Sequence, residues 1–368
     1  MHARIDSASS ERTQAPTPAR GGHRGLARVD LVLGVAAVVV VGSVATTLTG
    51  QLGGGADSQW KLAELGAAHA CYAADWNDRQ WTLLPDSTGA TGDDCASYLA
   101  TLSTGSNPFG VRPSAFLGFS QNGSLWGLYV GGNFGCSNWP HLRPMNFDAA
   151  DADKGAYALA NAWGFREYVS RDFYSPEWYA EDDPNYGPAS MVFFGEREFP
   201  GLSVPGLVDG DFEGFARTSF ALSGAAMMHP GVLRPVAEGG FQAPAGFADS
   251  YRAPTASQCR HPSLKTRMCE RGWYRNADAD GLPFNASAAS EPFVLFFDGS
   301  VQKVAMSRAI KDDALVRASS KSGDGLWSAD TTLGSEGWRP EASVDGSRIG
   351  FHMLTTGGIL GRDLLSRD

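Results

Sequence analysis

The sequence predicts an α+β protein. A long N-terminal helix, membrane-spanning in its first half, packs by its second half against a mainly antiparallel, loop-rich β domain. Three observations carry this. Leu31 to Leu48 is 18 residues long and contains no charge, close to the roughly 20 apolar residues a helix needs to cross a hydrocarbon core. Leu62, Leu65, His69, Tyr72 and Trp76 follow at helical spacing and share one face. Further on, two apolar runs flank Asp298-Gly299 in FVLFFDGSVQKV, the pattern of a β-hairpin.

Residues 1–25 are rich in Ser, Pro, Thr and Gly, with Arg4, Arg12, Arg20 and Arg24 set against Asp6 and Glu11. This reads as a basic, disordered leader, and positive charge ahead of a span keeps that end in the cytoplasm. Residues 26–56 then form the span and a Gly-rich hinge. A helix suits lipid because it satisfies its own backbone N–H and C=O groups. A buried core helix is the bland alternative, but the run has no amphipathic face. Gly53-Gly54-Gly55 interrupts the pattern, since each glycine costs a helix interior about 1 kcal/mol relative to Ala. Residues 57–368 are expected outside the cytoplasm. A second helix begins with Asp57 or Ser58 as N-cap and runs to about Trp76. His69 on its inner face reads as a hydrogen-bonded core residue.

The stretch Gly25-Leu26-Ala27-Arg28-Val29-Asp30-Leu31 resembles the start of prepilins and of the pseudopilins of type II secretion and type IV pilus systems. The resemblance implies cleavage after Gly25 by a prepilin peptidase and methylation of the new N-terminus at Leu26. Asp30 would take the place of the family's glutamate. A lone carboxylate at the head of a lipid-embedded helix wants a cation, which a neighbouring subunit's free amino group would supply. The departures are Asp for Glu, and Arg28 where the family is small and apolar; Arg28 could instead pair with Asp30 or reach the headgroups. Two other fates stay open: an uncleaved anchor, and a secretory signal cut after the small-x-small Ser43-Val44-Ala45. LAELGAAHACYAADWNDRQ and the FFDGSV hairpin resemble segments of planctomycete and verrucomicrobial pilin-like proteins. The resemblance covers about residues 25–80 and 290–305.

Composition narrows the function classes. The net charge is −10, and the leader's excess of Arg leaves the remainder more acidic still. Nucleic acid is excluded as a partner, because it needs clustered Lys and Arg. With 45 Gly, 20 Pro, 10 Trp, 10 Tyr and 20 Phe, the exported part reads as turn-rich and mainly β. Five cysteines face an oxidising compartment under this topology. Cys259–Cys269 is the first candidate disulfide and Cys71–Cys95 the second, against five buried thiols.

Taking the chain onward, Phe116–Phe119 and Leu125–Val130 read as strands joined at Asn122-Gly123. The glycines at 131–135 are no phosphate loop, as no Lys-Ser/Thr follows. Asp148, Asp151 and Asp153 precede an expected helix from Lys154 to Arg171, where acids suit the dipole or form a cation site. The aromatic and acidic loop 172–190 either fills its own small core or presents a surface to glycans or partners. SFALSGAAMMHP reads as a strand or short helix, with Met227 and Met228 as core and His229 structural. Asn276, Asp278 and Asp280 resemble the first half of a calcium loop, but the twelfth position is Ser287 rather than Glu; calcium is therefore the one candidate cofactor, set against a plain acidic turn. Asp298 is explained by its turn more simply than as a catalytic acid. A helix is expected at Ala309–Ala318 and a strand at Ile349–Leu354.

No H-E-x-x-H, C-x-x-C, G-x-S-x-G or Walker loop occurs. The resemblance therefore implies a non-catalytic, pilin-like assembly protein of the inner membrane, with other subunits or secretion machinery as partners. The competing reading is an anchored or secreted domain that binds or hydrolyses glycans.

Overall fold

The computed structural model describes residues 55–81, 115–119, 125–128, 163–172, 175–192, 194–195, 218–227, 230, 234–235, 241–242, 253–273, 284–321, 323–327, 350–353 and 355–367. All lie in the compact unit Gly50–Asp368. The first element is helix α1, Gly55–Asp75. Its alanine-rich sequence favours helix intrinsically. Asp57 stands in the first turn, where its charge suits the helix dipole, and pairs with Lys61 one turn on at 2.6 Å. The helix thus begins two or three residues before the expected caps Asp57 and Ser58, and Ser58 is buried inside it. It ends as expected before Trp76. Asn77 and Asp78 take positive φ (54° and 66°), and the Asp78 N–H reaches back to the Ala73 carbonyl at 2.7 Å, closing the end by a Schellman turn.

Leu62, Leu65, Ala68, His69 and Tyr72 turn one face of α1 inward, as their spacing predicts. That face lies on a four-stranded antiparallel sheet of order β3-β6-β7-β8, formed by β3 (Phe220–Leu222), β6 (Thr266–Glu270), β7 (Phe293–Phe296) and β8 (Val301–Lys303). Every residue of β6 is buried, as befits a central strand. Helix and sheet meet closely at Gly66, where a Cβ would stand 3.0 Å from Leu295 Cδ1. The core beneath holds Leu65, Tyr72, Trp178, Phe220, Met268, Leu295, Phe296 and Met306.

The hairpin at Asp298-Gly299 is present, but its turn differs from the two-residue type I′ expectation. Phe296 pairs with Ser300, and the Gly299 N–H donates to the Phe296 carbonyl at 3.0 Å. Only Gly299 has positive φ, at 83°. Three residues therefore form the loop, a type I turn closed by glycine in the left-handed region.

Away from the sheet, β1 (Ala115–Phe119) and β2 (Leu125–Leu128) pair antiparallel, in agreement with the expected strands. Their connecting turn lies outside the described residues. The two-residue strands β4 (Arg234–Pro235) and β5 (Phe241–Gln242) pair with each other. Helix α2 is Trp163–Arg166, so within the described residues the helix expected to reach Arg171 stops five residues short. Arg171 there has φ 67°. Helix α3 is Tyr186–Val192 and α4 is Met306–Ser319, longer than the expected Ala309–Ala318. SFALSGAAM is both alternatives in turn, β3 and then a 3-10 turn at Gly224–Ala226. Residues 351–353 form a turn rather than the expected strand, because the chain doubles back there with His352 at φ 53°.

Among the described residues no helix is long and apolar enough to cross a membrane. The run Leu31–Leu48, with Gly25, Leu26, Asp30 and Ser43–Ala45, lies outside them, as do Asp148, Asp151, Asp153, His229, and the calcium-loop residues Asn276, Asp278 and Asp280.

Candidate functional site

The densest buried constellation lies where the C-terminal tail crosses the start of β6. Lys265 immediately precedes that strand and is fully buried, as is Asp363 in the tail. Lys265 Nζ donates to Asp363 Oδ2 at 2.9 Å, to Thr355 Oγ1 at 2.7 Å and to Ser223 Oγ at 2.9 Å. These three bonds match the three donors of an ammonium group. Asp363 Oδ2 also accepts the Thr266 N–H at 2.8 Å, and its Oδ1 accepts the Thr355 hydroxyl. Ser223 Oγ in turn donates to the His352 carbonyl at 2.5 Å. Burial pulls the Lys265 pKa down, against the raising effect of Asp363; Lys265 and the hydrogen bonds hold the Asp363 carboxyl below the usual range despite its burial.

This arrangement places a serine beside a lysine, yet it has no free base. Every lysine proton is engaged by an acceptor, and the serine proton is fixed on a carbonyl. No atom of the cluster is open to a substrate. Its physical role is to weld the tail to the sheet, since an ion pair this dry persists only with its remaining donors and acceptors satisfied.

Helix α4 extends the weld. Asp312 Oδ2 accepts the Leu365 N–H at 2.9 Å, and Asp313 Oδ1 accepts the Trp327 N–H at 3.2 Å. Arg317 pairs with Asp313 at 3.2 Å and donates to the Trp327 carbonyl at 2.9 Å. Trp327 in turn presses on Gly350, where a Cβ would meet its Cδ1 at 2.5 Å. Asp298, weighed above as a catalytic acid, accepts from Ser300 N–H at 3.1 Å and pairs with Arg367. Its own N–H is bound to the Pro262 carbonyl at 2.9 Å. It shapes the turn and anchors the chain end.

Two histidines are buried beside these groups. His69 packs on Phe165 with ring centroids 4.3 Å apart, and neither of its ring nitrogens has a hydrogen-bond partner. The expectation of a hydrogen-bonded core histidine is corrected: it is core, but unsatisfied. His352, wedged against Phe284 and Phe351, is in the same state. Burial holds both neutral, driving His69 well below its ordinary value and His352 to about 3.

The Cys259–Cys269 disulfide does not form. Both residues are buried thiols; Cys71 is an exposed thiol, and Cys95 lies outside the described residues. Cys269 lies within β6, on the central core, whereas Cys259 belongs to a separate small cluster with Ala226 and Ile359. The loop between them is closed instead by Lys265 and the tail. In the aromatic loop, Trp178 and Tyr179 are wholly buried against α1, and Lys61 Nζ donates to the Tyr179 carbonyl at 2.9 Å. These two rings are core rather than a stacking surface. No group of three or more His, Cys, Asp or Glu able to hold a metal occurs among the described residues.

Nothing in the local pattern singled out Lys265, Asp363, Ser223, Thr355 or His352. The one legible sign was KTRMCE, in which Lys, Arg and Glu stand among apolar residues in a run that is buried from Lys265 to Glu270. No protein-family model matches the chain, and no curated protein or solved structure is found to be similar to it.

Proposed function

We propose that the protein is a pilin-like structural subunit of an envelope assembly, of the type II secretion or type IV pilus kind, anchored in the inner membrane with residues 57–368 outside. The single observation that carries this reading is the order Gly25-Leu26, then Asp30, then an uncharged apolar run from Leu31. An acid at the mouth of a lipid-embedded helix has a physical use only if a cation meets it, and a processed neighbour's N-terminus is such a cation. The architecture downstream is compatible: a helix laid along an antiparallel sheet that ends in a short hairpin. The latches on the C-terminal tail bind it into the domain, which suits a subunit that bears load.

N-terminal sequencing of the exported protein tests the processing step. A mature start at Leu26 supports the proposal, and a start at Thr46 refutes it. Asp30→Ala tests the assembly step: membrane insertion stays intact, while crosslinking between copies in the membrane is lost. Wild-type crosslinking by that variant removes the argument from Asp30.

A further inference from the structure

Arg267 is a buried cation with no ion-pair partner among the described residues. It sits at the second position of β6 and is 7% exposed. Its guanidinium carbon lies 4.6 Å from the centroid of the Phe297 ring, which backs it on one face. Its Nε is buried and meets no acceptor, and no carboxylate pairs with it among the described residues. Neighbouring cations are provided for: Lys265 has Asp363, Arg317 has Asp313 and Arg367 has Asp298. Asp78 bears on Arg267 electrostatically, yet its Oδ2 accepts the Ser257 N–H at 3.0 Å instead. Burial lowers the guanidinium only to about 10, so it is charged at neutral pH.

A second buried group without a hydrogen-bond partner among the described residues is His69. His69, on the inner face of α1, is buried with both ring nitrogens unpartnered, and the charge of Arg267 helps keep it neutral. A neutral imidazole still offers one N–H. A buried charge without an ion pair and a buried donor without an acceptor each carry a free-energy cost. A guanidinium offers paired N–H donors that can take an oxyanion in two parallel bonds.

We propose that Arg267 binds a small oxyanion, a phosphate or carboxylate group, which supplies the missing ion-pair partner, with Phe297 as the backing surface. The inference does not depend on the pilin-like reading.

The test uses the full chain in a neutral detergent. Its melting temperature is followed against inorganic phosphate and, separately, sodium acetate, with ionic strength held constant by chloride. The expected result is a saturable rise with at least one of the two that is absent in Arg267→Gln and retained in Lys303→Gln, a change at an exposed, paired lysine. The phosphate and acetate arms tell the two sources of the oxyanion apart. A response no larger than that of chloride, or an equal response in wild type and Arg267→Gln, overturns the proposal. Should Arg267→Gln fail to fold, Arg267→Lys decides. It keeps the charge but loses the fork, so half-saturation should move to at least threefold higher anion, and an unchanged midpoint overturns the proposal.

Discussion

Acidification should destabilise this domain through His352, by an amount that its burial fixes. The ring is fully buried with both nitrogens unpartnered, and its folded pKa is about 3 against an ordinary 6.5. Between those two values the unfolded chain binds a proton that the folded chain refuses. Stability is therefore fully present above the unfolded pKa and falls as pH drops below it, at about 1.4 kcal/mol per pH unit. At pH 4.5 the loss from this residue is roughly 2.7 kcal/mol, and over the whole window it approaches about 5 kcal/mol. His69 acts in the same direction. The assay is urea unfolding from pH 7.5 to 4.5 of wild type and His352→Phe, compared as a difference so that titrating carboxylates cancel. The variant should lose roughly 1 kcal/mol at neutral pH, because φ of 53° suits Phe poorly. Its stability should then fall less steeply below pH 6.5, by close to one proton. Parallel curves for the two proteins would refute the reasoning, since they would mean that His352 finds a partner or solvent in the folded state.

Lys265→Met should cost about 3–5 kcal/mol in urea unfolding, because it strands a dry carboxylate at Asp363. Adding Asp363→Leu to it should recover a large part of that loss, and no recovery would show that the pair is not the source. Gly299→Ala should lose about 1–2 kcal/mol by forcing a Cβ into φ of 83°, with Gly299→Asn milder; equal losses for the two variants would argue against the turn. Gly66→Val should lose roughly 1–3 kcal/mol through overpacking on Leu295, and Leu295→Ala in the same chain should make the two losses less than additive. Native thiol titration should label Cys71 rapidly, and Cys259 and Cys269 only after unfolding, as burial also pushes the Cys259 thiol up.

Local pattern made several elements readable in advance. The inward face of α1 follows from side-chain spacing, and the paired strands at 115–119 and 125–128 and the hairpin at 293–303 follow from short apolar runs separated by turn residues. These are short-range consequences of backbone geometry, so one stretch of sequence contains all their causes. Turn type was less secure: Asp-Gly allows two loop lengths, and the pairing of Phe296 with Ser300 chose between them. The end of α2 and the turn at His352 were not readable, because each is set by what the chain packs against.

The centre at Lys265 marks that division most sharply. By itself the sequence determined an uncharged run behind Asp30, a helix with one apolar face beginning near Asp57 and a β-hairpin near Asp298, since each is written in neighbouring residues. Only the tertiary structure decided that Lys265 meets Asp363 across 98 positions, that Cys259 and Cys269 lie in separate clusters, and that Trp178 is core. Charge partners and burial depend on distances in space, and a lysine in a strand reads the same on paper whether it faces water or the inside of a protein.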